Sequence, residues 1–519
     1  MARTIMIQGT MSNAGKSVIA TGLCRLFTQD GYDVAPFKSQ NMALNSFITL
    51  DGGEMGRAQV VQAEACGKAP VVAMNPVLLK PVTDQGSQVI VHGQARGVMS
   101  ARDYFATRAS LMPEIMSAFD SLAASCDIIV IEGAGSPAEI NLRTDDIVNM
   151  GLAKRLGAPV LLVGDIDRGG VFAQLVGTCA LLADDERELV KGLIINKLRG
   201  DASLLGDGLS QLEALTNKPV LGVVPYLPLD IDDEDSLAER LNCASPAGPV
   251  ANLTAPAASL TAPVASPAAP AANPGACDVA VVRLPKVSNF TDFTALGATD
   301  GFSVRYVATA RELGTPDLLI LPGTRNTIAD LLWLRERGLD RAVLAHAARG
   351  GTVVGICGGY QMLGRVISDP EGVEGGGTVP GLGLLPITTT FRPVKQQTRV
   401  TGTVLGSAGA LAAMAGAGVE GYEIHMGLSA RDDGAPGWVR LEDGSIDGCY
   451  QGNVYGTYLH GLFDTTSARS RLAAALGVVA AQAPVDYRLY REAQYDQLAD
   501  ALRACLDMGA IYEIVRGER

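Results

Sequence analysis

The chain has 519 residues, enough for about three domains of average size. It is 47% hydrophobic and 19% charged, which is the composition of a folded protein with large cores and excludes a disordered one. The net charge of −13 argues against a nucleic-acid or anionic membrane partner. No apolar run reaches the roughly 20 residues of a membrane helix, and the nine cysteines follow neither zinc-site nor disulfide-framework spacing. We therefore expect a reduced, cytoplasmic protein.

An alanine- and proline-rich stretch divides the sequence. Residues 244–276 contain 13 Ala and 7 Pro among 33 positions and no charged residue. Proline interrupts helices and sheets, and the stretch has no apolar period to bury. We interpret it as a semi-rigid linker, the alternative being a surface loop within one domain. The predicted domains are then residues 1–243 and residues 277–519.

Short apolar runs alternate with helical patterns on both sides of this linker, which is typical of parallel α/β sheets. In the first half the predicted strands are residues 4–8, 127–131, 159–163, 192–195 and 220–224. In the second half they are residues 279–283, 303–307, 318–321 and 352–356. Residues 448–458 alternate in polarity and are predicted to pair antiparallel. The expected fold class is α/β, with two domains.

A glycine-containing segment follows the first predicted strand and precedes a helical pattern. Glycines at such a turn let backbone N–H groups face a phosphate, and the helix N-terminus adds its positive dipole. In this pattern Lys16 reaches the β- and γ-phosphates, and Ser17 binds Mg²⁺. Thr10 stands where the first glycine is usual, so the spacing departs from the common form. The predicted nucleotide-binding residues here are Gly9, Thr10, Gly15, Lys16 and Ser17.

Polar residues close three later strands of the first half. Glu132 and Asp165 each follow a predicted strand, and ligands of α/β proteins bind beyond the carboxyl ends of such strands. Because carboxylates there hold Mg²⁺ and its waters, we predict Ser17, Glu132 and Asp165 as metal ligands. The alternative for each carboxylate is a helix cap or a turn. Asn196 ends another strand and is a candidate partner for the purine edge of a nucleotide.

Two more segments of the first half, residues 37–45 and 79–87, carry lysines and amides that a core does not need. Clustered Lys, Gln and Asn side chains are suited to binding an acidic second substrate beside the γ-phosphate. A solvated loop is the alternative. The predicted substrate-binding residues are Lys38, Gln40, Asn41 and Lys80.

The second half places a cysteine between glycines at a strand-to-helix turn, in residues 355–359. A tight turn of this kind projects Sγ of Cys357 out of the sheet, and the following helix N-terminus favours the thiolate. The N–H of Gly358 is suited to an oxyanion hole, with a second donor at Gly323. A buried structural cysteine is the alternative, but the flanking glycines favour a nucleophile.

A nucleophilic thiolate requires a base, and the chain has four histidines. His92 lies in the first half, and His346 lies in an alanine-rich helical stretch that predicts a structural role. Of His425 and His460, we favour His460 because it ends a strand and is followed by a glycine that exposes it. The other histidine is left to bind substrate or to make a buried hydrogen bond.

Together these motifs resemble the cobyrinate-amidating family of glutamine amidotransferases, in its adenosylcobyric acid synthase branch. The resemblance covers both halves, and its most family-specific string is the Lys-x-Gln-Asn-Met core of residues 37–45. It implies an N-terminal P-loop domain of the dethiobiotin-synthetase-like fold and a C-terminal class I glutaminase domain. It also implies that Cys357 is the nucleophile, that His460 is the base and that Gln361 helps to hold glutamine.

The resemblance further implies a ligase that uses ATP, glutamine and Mg²⁺, with no tightly bound prosthetic group. Glutamine would form a glutamyl thioester and release ammonia, while ATP activates a corrinoid carboxylate as an acyl phosphate. The b, d, e and g carboxylates of adenosylcobyrinic acid a,c-diamide would be amidated in turn. Lys38 and Lys80 are then hypothesised as counter-charges for this polycarboxylate in an acidic protein.

One position departs from the class I pattern. Leu462 stands two residues after His460, where glutamate is usual, and the cobyrinate-amidating branch shares this absence. The group that orients His460 is therefore open between another carboxylate and a backbone carbonyl. The sequence also leaves open the order of the amidations, the route of ammonia and the oligomeric state.

Other functions fit parts of the sequence. Cobyrinic acid a,c-diamide synthase is a relative in the same class, but residues 38–45 and the chain order favour the four-amide enzyme. Partition-type switch ATPases resemble the first half, but they carry a signature lysine where this chain has Met11 and Ser12. A dual glutaminase acting on a cell-wall precursor usually divides its two activities between chains.

Overall fold

The computed structural model describes residues 2–82, 86–232, 276–406, 408–478 and 485–519. The chain forms two compact units. The first unit comprises Met1–Ala43, Thr49–Glu234 and Tyr490–Arg519, and the second comprises Leu44–Ile48 and Asp235–Leu489. The predicted linker, residues 244–276, lies outside the described residues except for Ala276. Among the described helices, none has both the length and the hydropathy needed to cross a membrane.

The regular elements up to residue 225 are as follows. The strands are β1 (Arg3–Gly9), β2 (Val34–Phe37), β3 (Gln40–Met42), β4 (Ser46–Ile48), β5 (Glu54–Gly56), β6 (Val77–Pro81), β7 (Gly86–Val91), β8 (Gln94–Ser100), β9 (Ile128–Glu132), β10 (Val160–Asp165), β11 (Val190–Leu198) and β12 (Val220–Pro225). The helices are α1 (Lys16–Gln29), α2 (Arg57–Ala65), α3 (Ala101–Thr107), α4 (Met112–Ala123), α5 (Met150–Leu156), α6 (Val171–Leu181), α7 (Asp184–Leu189) and α8 (Gly206–Thr216).

The elements after residue 276 continue the numbering. The strands are β13 (Cys277–Val282), β14 (Phe302–Val307), β15 (Leu318–Leu321), β16 (Thr352–Ile356), β17 (Val366–Asp369), β18 (Gly377–Pro380), β19 (Ile387–Val404), β20 (Gly418–Arg431), β21 (Val439–Leu441), β22 (Ile446–Asp447), β23 (Cys449–Gln451) and β24 (Val454–Thr457). The helices are α9 (Thr294–Gly297), α10 (Ala310–Leu313), α11 (Thr327–Glu336), α12 (Leu339–Ala348), α13 (Gly358–Leu363), α14 (Thr466–Ala475), α15 (Tyr487–Cys505) and α16 (Met508–Arg516).

A parallel six-stranded sheet, in the order β12-β11-β10-β1-β9-β2, forms the centre of the first unit. The strands β9 and β10 are buried along their whole length, as the continuous apolar runs of a parallel sheet predict. Because β1 lies between β9 and β10, the loops that follow these three strands meet at one edge. A smaller mixed sheet, β3-β6-β7-β8, belongs to the same unit, and residues 94–98 of β8 are exposed.

The second unit contains another sheet of six strands, in the order β14-β13-β15-β16-β24-β23. It is parallel except for the β23–β24 pair, which is antiparallel as predicted. The loops after β15, β16 and β24 therefore meet at one edge. A second sheet contains the long antiparallel pair β19–β20, and β20 carries Tyr422 and His425. The predicted α/β fold class is confirmed.

Two segments lie in a different unit from the one that the predicted boundaries give them. Residues 490–519 lie in the first unit, because α15 and α16 bury an apolar face that includes Leu498, Leu502 and Ile511 in the same core as α1. The short segment Leu44–Ile48 lies in the second unit, where Ser46 O accepts hydrogen bonds from Asn289 Nδ2 at 3.3 Å and Tyr422 OH at 3.1 Å. The sequence offered no local signal for either exchange, since both depend on distant partners.

The packing of α15 on α1 can be tested by truncating Leu502. This side chain is fully buried, and a Cβ added to Gly22 of α1 would lie 2.3 Å from its Cδ1, so the two helices are in close contact. We expect Leu502→Ala to lower the free energy of unfolding of the first unit by about 2–5 kcal/mol. Calorimetry of the full chain measures this, with the nucleotide-sensitive transition identifying the first unit. Leu215→Ala, at a 70% exposed position of α8 in the same unit, should change it by no more than about 0.5 kcal/mol. Equal effects of the two substitutions would contradict this packing.

Candidate active sites

Cys357 occupies the tight turn between β16 and α13. Its φ of 50° lies in the left-handed region, which a residue other than glycine rarely adopts and which a nucleophile elbow requires. The N–H of Gly359 donates to Pro322 O at 3.1 Å, so the loop after β15 packs against the elbow. The Sγ of Cys357 lies 3.6 Å from the carbonyl oxygen of Ile424 in β20. The cysteine is thus held among groups from β15, β16 and β20.

His460 is paired with a carboxylate that the sequence did not identify. Its Nδ1 lies 2.7 Å from Oδ2 of Asp292, whose Oδ1 accepts a hydrogen bond from Gly461 N at 3.2 Å. Asp292 lies in the 3₁₀ turn Phe290–Phe293 that follows β13, and both side chains are buried. Since Asp292 engages Nδ1, Nε2 is the nitrogen available for proton exchange with Cys357. Of the two orienting groups left open by the sequence, this geometry favours a carboxylate.

Asp292 also determines the protonation of His460. Burial lowers the pKa of His460, but the charge of Asp292 and its hydrogen bond, together with a contribution from Cys357, raise this pKa to about 10. The imidazole is therefore protonated near neutral pH.

Tyr422 fixes both the backbone and the ring of His460. The two residues exchange backbone hydrogen bonds of 3.2 and 2.9 Å, and their rings stack with centroids 5.3 Å apart. The Tyr422 hydroxyl is held in turn by its bond to Ser46 O, described above. A base that is restrained in this way loses little rotational freedom during the reaction.

His425 is held differently from His460. Its Nδ1–H donates to Gly427 O at 2.7 Å, and its ring stacks on Tyr458 with centroids 3.7 Å apart. Burial lowers the pKa of His425 to about 4, so this imidazole is neutral at physiological pH. The structure therefore favours His460 as the base. His346 is buried and donates from Nε2 to Thr352 O, which suits the structural role predicted for it.

The amide of Gln361 is buried in α13, and both of its ends have partners in the protein. Nε2 donates to Tyr458 OH at 3.1 Å, and Oε1 accepts from Thr327 Oγ1 at 2.9 Å. The side chain therefore builds the wall of the site beside the elbow. A substrate contact from Gln361 would have to share one of these hydrogen bonds.

Gly323 and Gly358 lie in the loops that carry the predicted oxyanion donors, and both are closely packed. A Cβ on Gly323 would lie 2.8 Å from Cε1 of His460 and 3.6 Å from Cβ of Cys357, so any larger residue would occupy space beside both. A Cβ on Gly358 would lie 2.6 Å from Cγ2 of Thr324. The structure therefore brings the two predicted oxyanion donors, Cys357 and His460 together at one edge of the sheet.

The P-loop of the first unit leads directly into α1, whose first residue is Lys16. The Nζ of Lys16 donates to Met11 O at 3.1 Å and Gly135 O at 3.0 Å. Gly15 has a φ of 96°, and a Cβ there would lie 2.0 Å from Nδ2 of Asn196, so this position requires glycine. That Nδ2 donates to the carbonyl oxygen of Ala14, the residue before Gly15, at 3.0 Å. Asn196 therefore fixes the backbone of the P-loop at Ala14.

Gly9 and Thr10, the first two predicted nucleotide-binding residues, lie at the end of β1. Gly9 packs on the stem of Lys16, since a Cβ at Gly9 would lie 3.0 Å from Lys16 Cγ. Thr10 N donates to Val163 O at 2.9 Å, and Thr10 Oγ1 donates to Gln174 Oε1 at 3.1 Å. The threonine in place of the usual glycine thus ties the loop to β10 and α6.

Glu132 is the centre of a buried polar cluster beside the P-loop. Its Oε1 accepts hydrogen bonds from Ser17 Oγ and Lys38 Nζ, each at 2.8 Å. Its Oε2 accepts from Gln62 Nε2 at 2.5 Å. The structure thus brings Ser17 and Glu132 together, and it adds Lys38 and Gln62 to them.

Asp165 lies at the end of β10, on the opposite side of β1 from Glu132. Its Oδ2 is 2.9 Å from Lys197 Nζ, and its Oδ1 accepts from Asp167 N at 2.8 Å. Within the described ranges, no three His, Cys, Asp or Glu side chains cluster as a metal site. Mg²⁺ commonly takes one or two protein oxygens and completes its shell with phosphates and waters. The hydroxyl of Ser17 and the carboxylate of Glu132 lie together and fit that requirement, although Glu132 also bonds Lys38. Asp165 lies apart from this pair, across β1, and bonds Lys197.

The other predicted substrate-binding residues also have protein partners. Lys80 forms a buried ion pair with Glu54 at 2.9 Å. Asn41 is buried and donates to Gln59 Oε1 at 3.1 Å. The side-chain Oε1 of Gln40, a partly buried residue, accepts from Tyr104 OH at 2.5 Å. Neither predicted lysine is therefore an exposed counter-charge, because Lys38 and Lys80 are each buried against a glutamate.

Sequence reasoning missed three residues of these sites. Asp292 had a usable signal, because it is an acidic residue between Phe290 and Phe293 in a stretch that otherwise reads as buried. Gln62 and Tyr422 had none, since a glutamine in a helix and a tyrosine in a strand are ordinary. Their roles arise from contacts with Glu132 and His460 that only the folded chain creates.

Comparison with known proteins agrees with this geometry. A family profile described as a CobQ/CobB/MinD/ParA nucleotide binding domain matches residues 5–236, and one described as a CobB/CobQ-like glutamine amidotransferase domain matches residues 278–468. Cobyric acid synthase of Ruminiclostridium cellulolyticum is 53% identical, covering 99% of this chain and 97% of that protein. The synthases of Lachnoclostridium phytofermentans and Citrobacter koseri are 50% and 48% identical, with at least 99% of each chain covered. The chain therefore belongs to the cobyric acid synthase family and is a glutamine amidotransferase of cobalamin biosynthesis.

Proposed function

We propose that this enzyme amidates the b, d, e and g carboxylates of adenosylcobyrinic acid a,c-diamide, with glutamine as nitrogen donor and ATP as the source of activation. One observation supports this most directly: a single chain carries both a Cys357–His460–Asp292 constellation and a P-loop cluster around Glu132. The first suits release of ammonia from an amide, and the second suits activation of a carboxylate. The relatives named cobyric acid synthase support a corrinoid as the acceptor.

In the glutaminase unit, the thiolate of Cys357 attacks the carboxamide carbon of glutamine. The N–H groups of Gly358 and Gly323 stabilise the oxyanion that forms. His460 gives its Nε2 proton to the departing ammonia, leaving a glutamyl thioester. It then accepts a proton from the water that hydrolyses the thioester to glutamate. Asp292 holds Nδ1–H throughout and so keeps the ring in the productive orientation.

In the nucleotide-binding unit, an acceptor carboxylate attacks the γ-phosphorus of ATP, and ADP leaves. Ammonia then attacks the acyl carbon of the resulting acyl phosphate, and phosphate leaves with an amide in its place. Lys16 neutralises the phosphoryl group during transfer. Ser17 and Glu132 would hold Mg²⁺, which supplies further positive charge to the phosphates when bound.

Two further points belong to the proposal: the contact of Asn196 with the nucleotide, and the compartment in which the reaction takes place. We propose that Oδ1 of Asn196 accepts a hydrogen bond from the purine edge of the nucleotide, while its Nδ2 donates to Ala14 O of the P-loop. ATP and glutamine are cytoplasmic metabolites, and the cysteines in the described ranges are free thiols, which suits a reducing compartment. We therefore assign the reaction to the cytoplasm.

The test of this proposal is a product assay with two precursors. The purified enzyme, ATP and glutamine are incubated with cobyrinic acid or with adenosylcobyrinic acid a,c-diamide, and the corrinoids are separated by mass spectrometry. We expect stepwise conversion of the diamide to adenosylcobyric acid and no use of cobyrinic acid. Conversion of cobyrinic acid to its a,c-diamide would instead assign the earlier reaction. Turnover of ATP with no corrinoid product would overturn both assignments.

Replacing Asp292 tests its role as the residue that positions His460. We expect Asp292→Asn to lower kcat/KM for glutamine by about 10²–10⁴-fold, while activity with ammonium salts persists. The charge of Asp292 raises the pKa of His460 to about 10, so His460 of the variant should lose its proton at a lower pH than in the wild type. The alkaline limb of the glutaminase pH profile should therefore shift to lower pH. In the wild type the same ion pair stabilises the fold below about pH 6.5, and this stabilisation is lost as pH rises towards 10.

The exposed Asp433 of the same unit provides a matched control. Asp433→Asn should leave both the rate and the pH profile unchanged. A pH profile of Asp292→Asn that matches the wild type would show that Asp292 does not control the proton on His460.

A further inference from the structure

The acceptor in the proposed function poses an electrostatic problem. It is a polycarboxylate, whereas this protein has a net charge of −13. The two lysines that the sequence pointed to are buried against Glu132 and Glu54, so their charges are already balanced. The negative charges of the ligand and of the protein repel each other, and a carboxylate of the ligand can pair only with a cation that is exposed to solvent. A surface that binds the corrinoid therefore needs other, exposed cations close to the phosphate site.

Four apolar side chains of the first unit are exposed on β3, on α3 and in the turn after β9, and of these elements β3 follows Lys38 and β9 ends at Glu132. Met42 is 55% exposed at the end of β3, and Ile140 is 60% exposed in a 3₁₀ turn after β9. Phe105 on α3 and Leu142 in the same 3₁₀ turn are also exposed. We call these four residues the apolar platform. Contiguous exposed apolar residues on a monomer commonly mark a binding surface.

Partly buried polar contacts link the elements that carry these four residues. The Tyr104 hydroxyl of α3 donates to Gln40 of β3 at 2.5 Å, which fixes the helix beside Met42. The guanidinium of Arg108 donates to Leu142 O at 2.7 Å and Thr144 O at 2.6 Å, and it lies 4.8 Å from the ring centroid of Phe105. Arg108 therefore ties the 3₁₀ turn to the helix that carries Phe105.

Two exposed arginines lie on α3 and on the strand that leads into it. Arg102 stands three residues before Phe105 on α3, so the two share a face of the helix, and Arg96 lies on the exposed strand β8 that leads into α3. The structure shows no ion pair for either arginine within the described residues. The neighbouring Asp103 is engaged by the helix cap Ser100, whose hydroxyl donates to Asp103 Oδ2 and accepts from Asp103 N. This part of an acidic protein thus has unpaired positive charge at an apolar surface.

The platform also adjoins the phosphate cluster along the chain. Lys38, which bonds to Glu132, is separated from Gln40 by only Ser39, and Ser39 Oγ donates to Ile147 O at 2.7 Å. Strand β3 therefore leads from the phosphate site to Met42 within four residues. A carboxylate at the edge of a ligand on the platform would lie next to the nucleotide.

We propose that the apolar platform, with Arg96 and Arg102 at its border, binds the corrinoid acceptor. The flat apolar face of the macrocycle packs on Met42, Phe105 and the 140–142 turn, and peripheral carboxylates pair with the two arginines. An exposed platform, unlike an enclosed pocket, lets the ring bind again in a new orientation after each amidation. This assignment rests on the proposed function, because it takes the acceptor from it.

The test is a charge reversal with matched controls. For Arg102→Glu and Arg96→Glu, we expect the KM for adenosylcobyrinic acid a,c-diamide to rise at least about fivefold each. The KM values for ATP and glutamine should not change. Arg311→Glu, at an exposed arginine of α10 in the second unit, controls for the change in net charge. The wild-type corrinoid KM should rise with salt, and Arg102→Glu should weaken that dependence.

A second pair of substitutions tests the apolar contact. Phe105→Ser should raise the corrinoid KM by about fivefold or more, whereas Leu204→Ser, at an 84% exposed leucine elsewhere, should not. Unchanged corrinoid KM values in folded, active Arg102→Glu and Phe105→Ser variants would overturn the platform and leave the proposed function intact. A wild-type enzyme that amidates no corrinoid would overturn both.

Discussion

Replacing Cys357 by alanine is expected to abolish glutamine-dependent amidation and to leave amidation with ammonium salts intact. The thiolate is the only group in the proposed mechanism that opens the carboxamide of glutamine, so the loss should be at least about 10³-fold. Free ammonia bypasses this step, because the acyl phosphate forms in the other unit. The measurement compares corrinoid product and glutamate formed with each nitrogen donor at the same pH.

A second buried cysteine supplies the control for this prediction. Cys449 lies in β23 of the same unit, where its sulfur accepts a hydrogen bond from Tyr360 OH at 3.8 Å. Cys449→Ala removes a buried thiol without touching the elbow, so it should keep activity with both nitrogen donors. If a folded Cys357→Ala enzyme lost the ammonia-dependent reaction as well, the division into two chemically separate sites would be wrong.

Replacing Lys16 by alanine is expected to abolish amidation with either nitrogen donor. Lys16 is the cation that the P-loop presents to the β- and γ-phosphates, and ammonia cannot displace an unactivated carboxylate. Loss of one preorganised charge at a phosphoryl group should lower kcat by about 10²–10³-fold. Release of phosphate in the presence of the corrinoid and ammonium chloride measures the effect.

The control is Lys154→Ala, at a lysine whose ion pair with Asp185 is exposed to solvent. Such pairs contribute little, so this variant should behave as the wild type. Ammonia-dependent amidation that survives in Lys16→Ala would show that carboxylate activation does not use this P-loop.

The parts of the sites that the sequence predicted are those built from neighbouring residues. The P-loop and the cysteine elbow are each a strand, a tight turn and a helix in direct succession, and their glycine patterns reflect local geometry. Strand ends were also predictable, because parallel strands place their carboxyl ends at one edge. This reasoning predicted that Glu132 lies near Ser17, and that the loop containing Gly323 lies near Cys357.

The parts that the sequence did not predict are pairings between distant residues. Asp292 and His460 are 168 positions apart, so no spacing links them. Lys38 and Lys80 read as exposed cations because a buried ion pair cannot be seen until its partner is located. Glu132 and Glu54 are those partners, and they turn two predicted substrate contacts into parts of the folded interior.

The docking of α15 and α16 on the first unit has a consequence for synthesis on the ribosome. Arg25 of α1 and its partner Asp496 are 471 positions apart, and the ribosome must make everything between them before they can meet. At 5–20 residues per second, this delay is about 25–95 s. During that time the second unit can fold, while the apolar face of α1 stays uncovered and open to chaperones. The nucleotide-binding unit, although it begins first, is therefore the last to be completed.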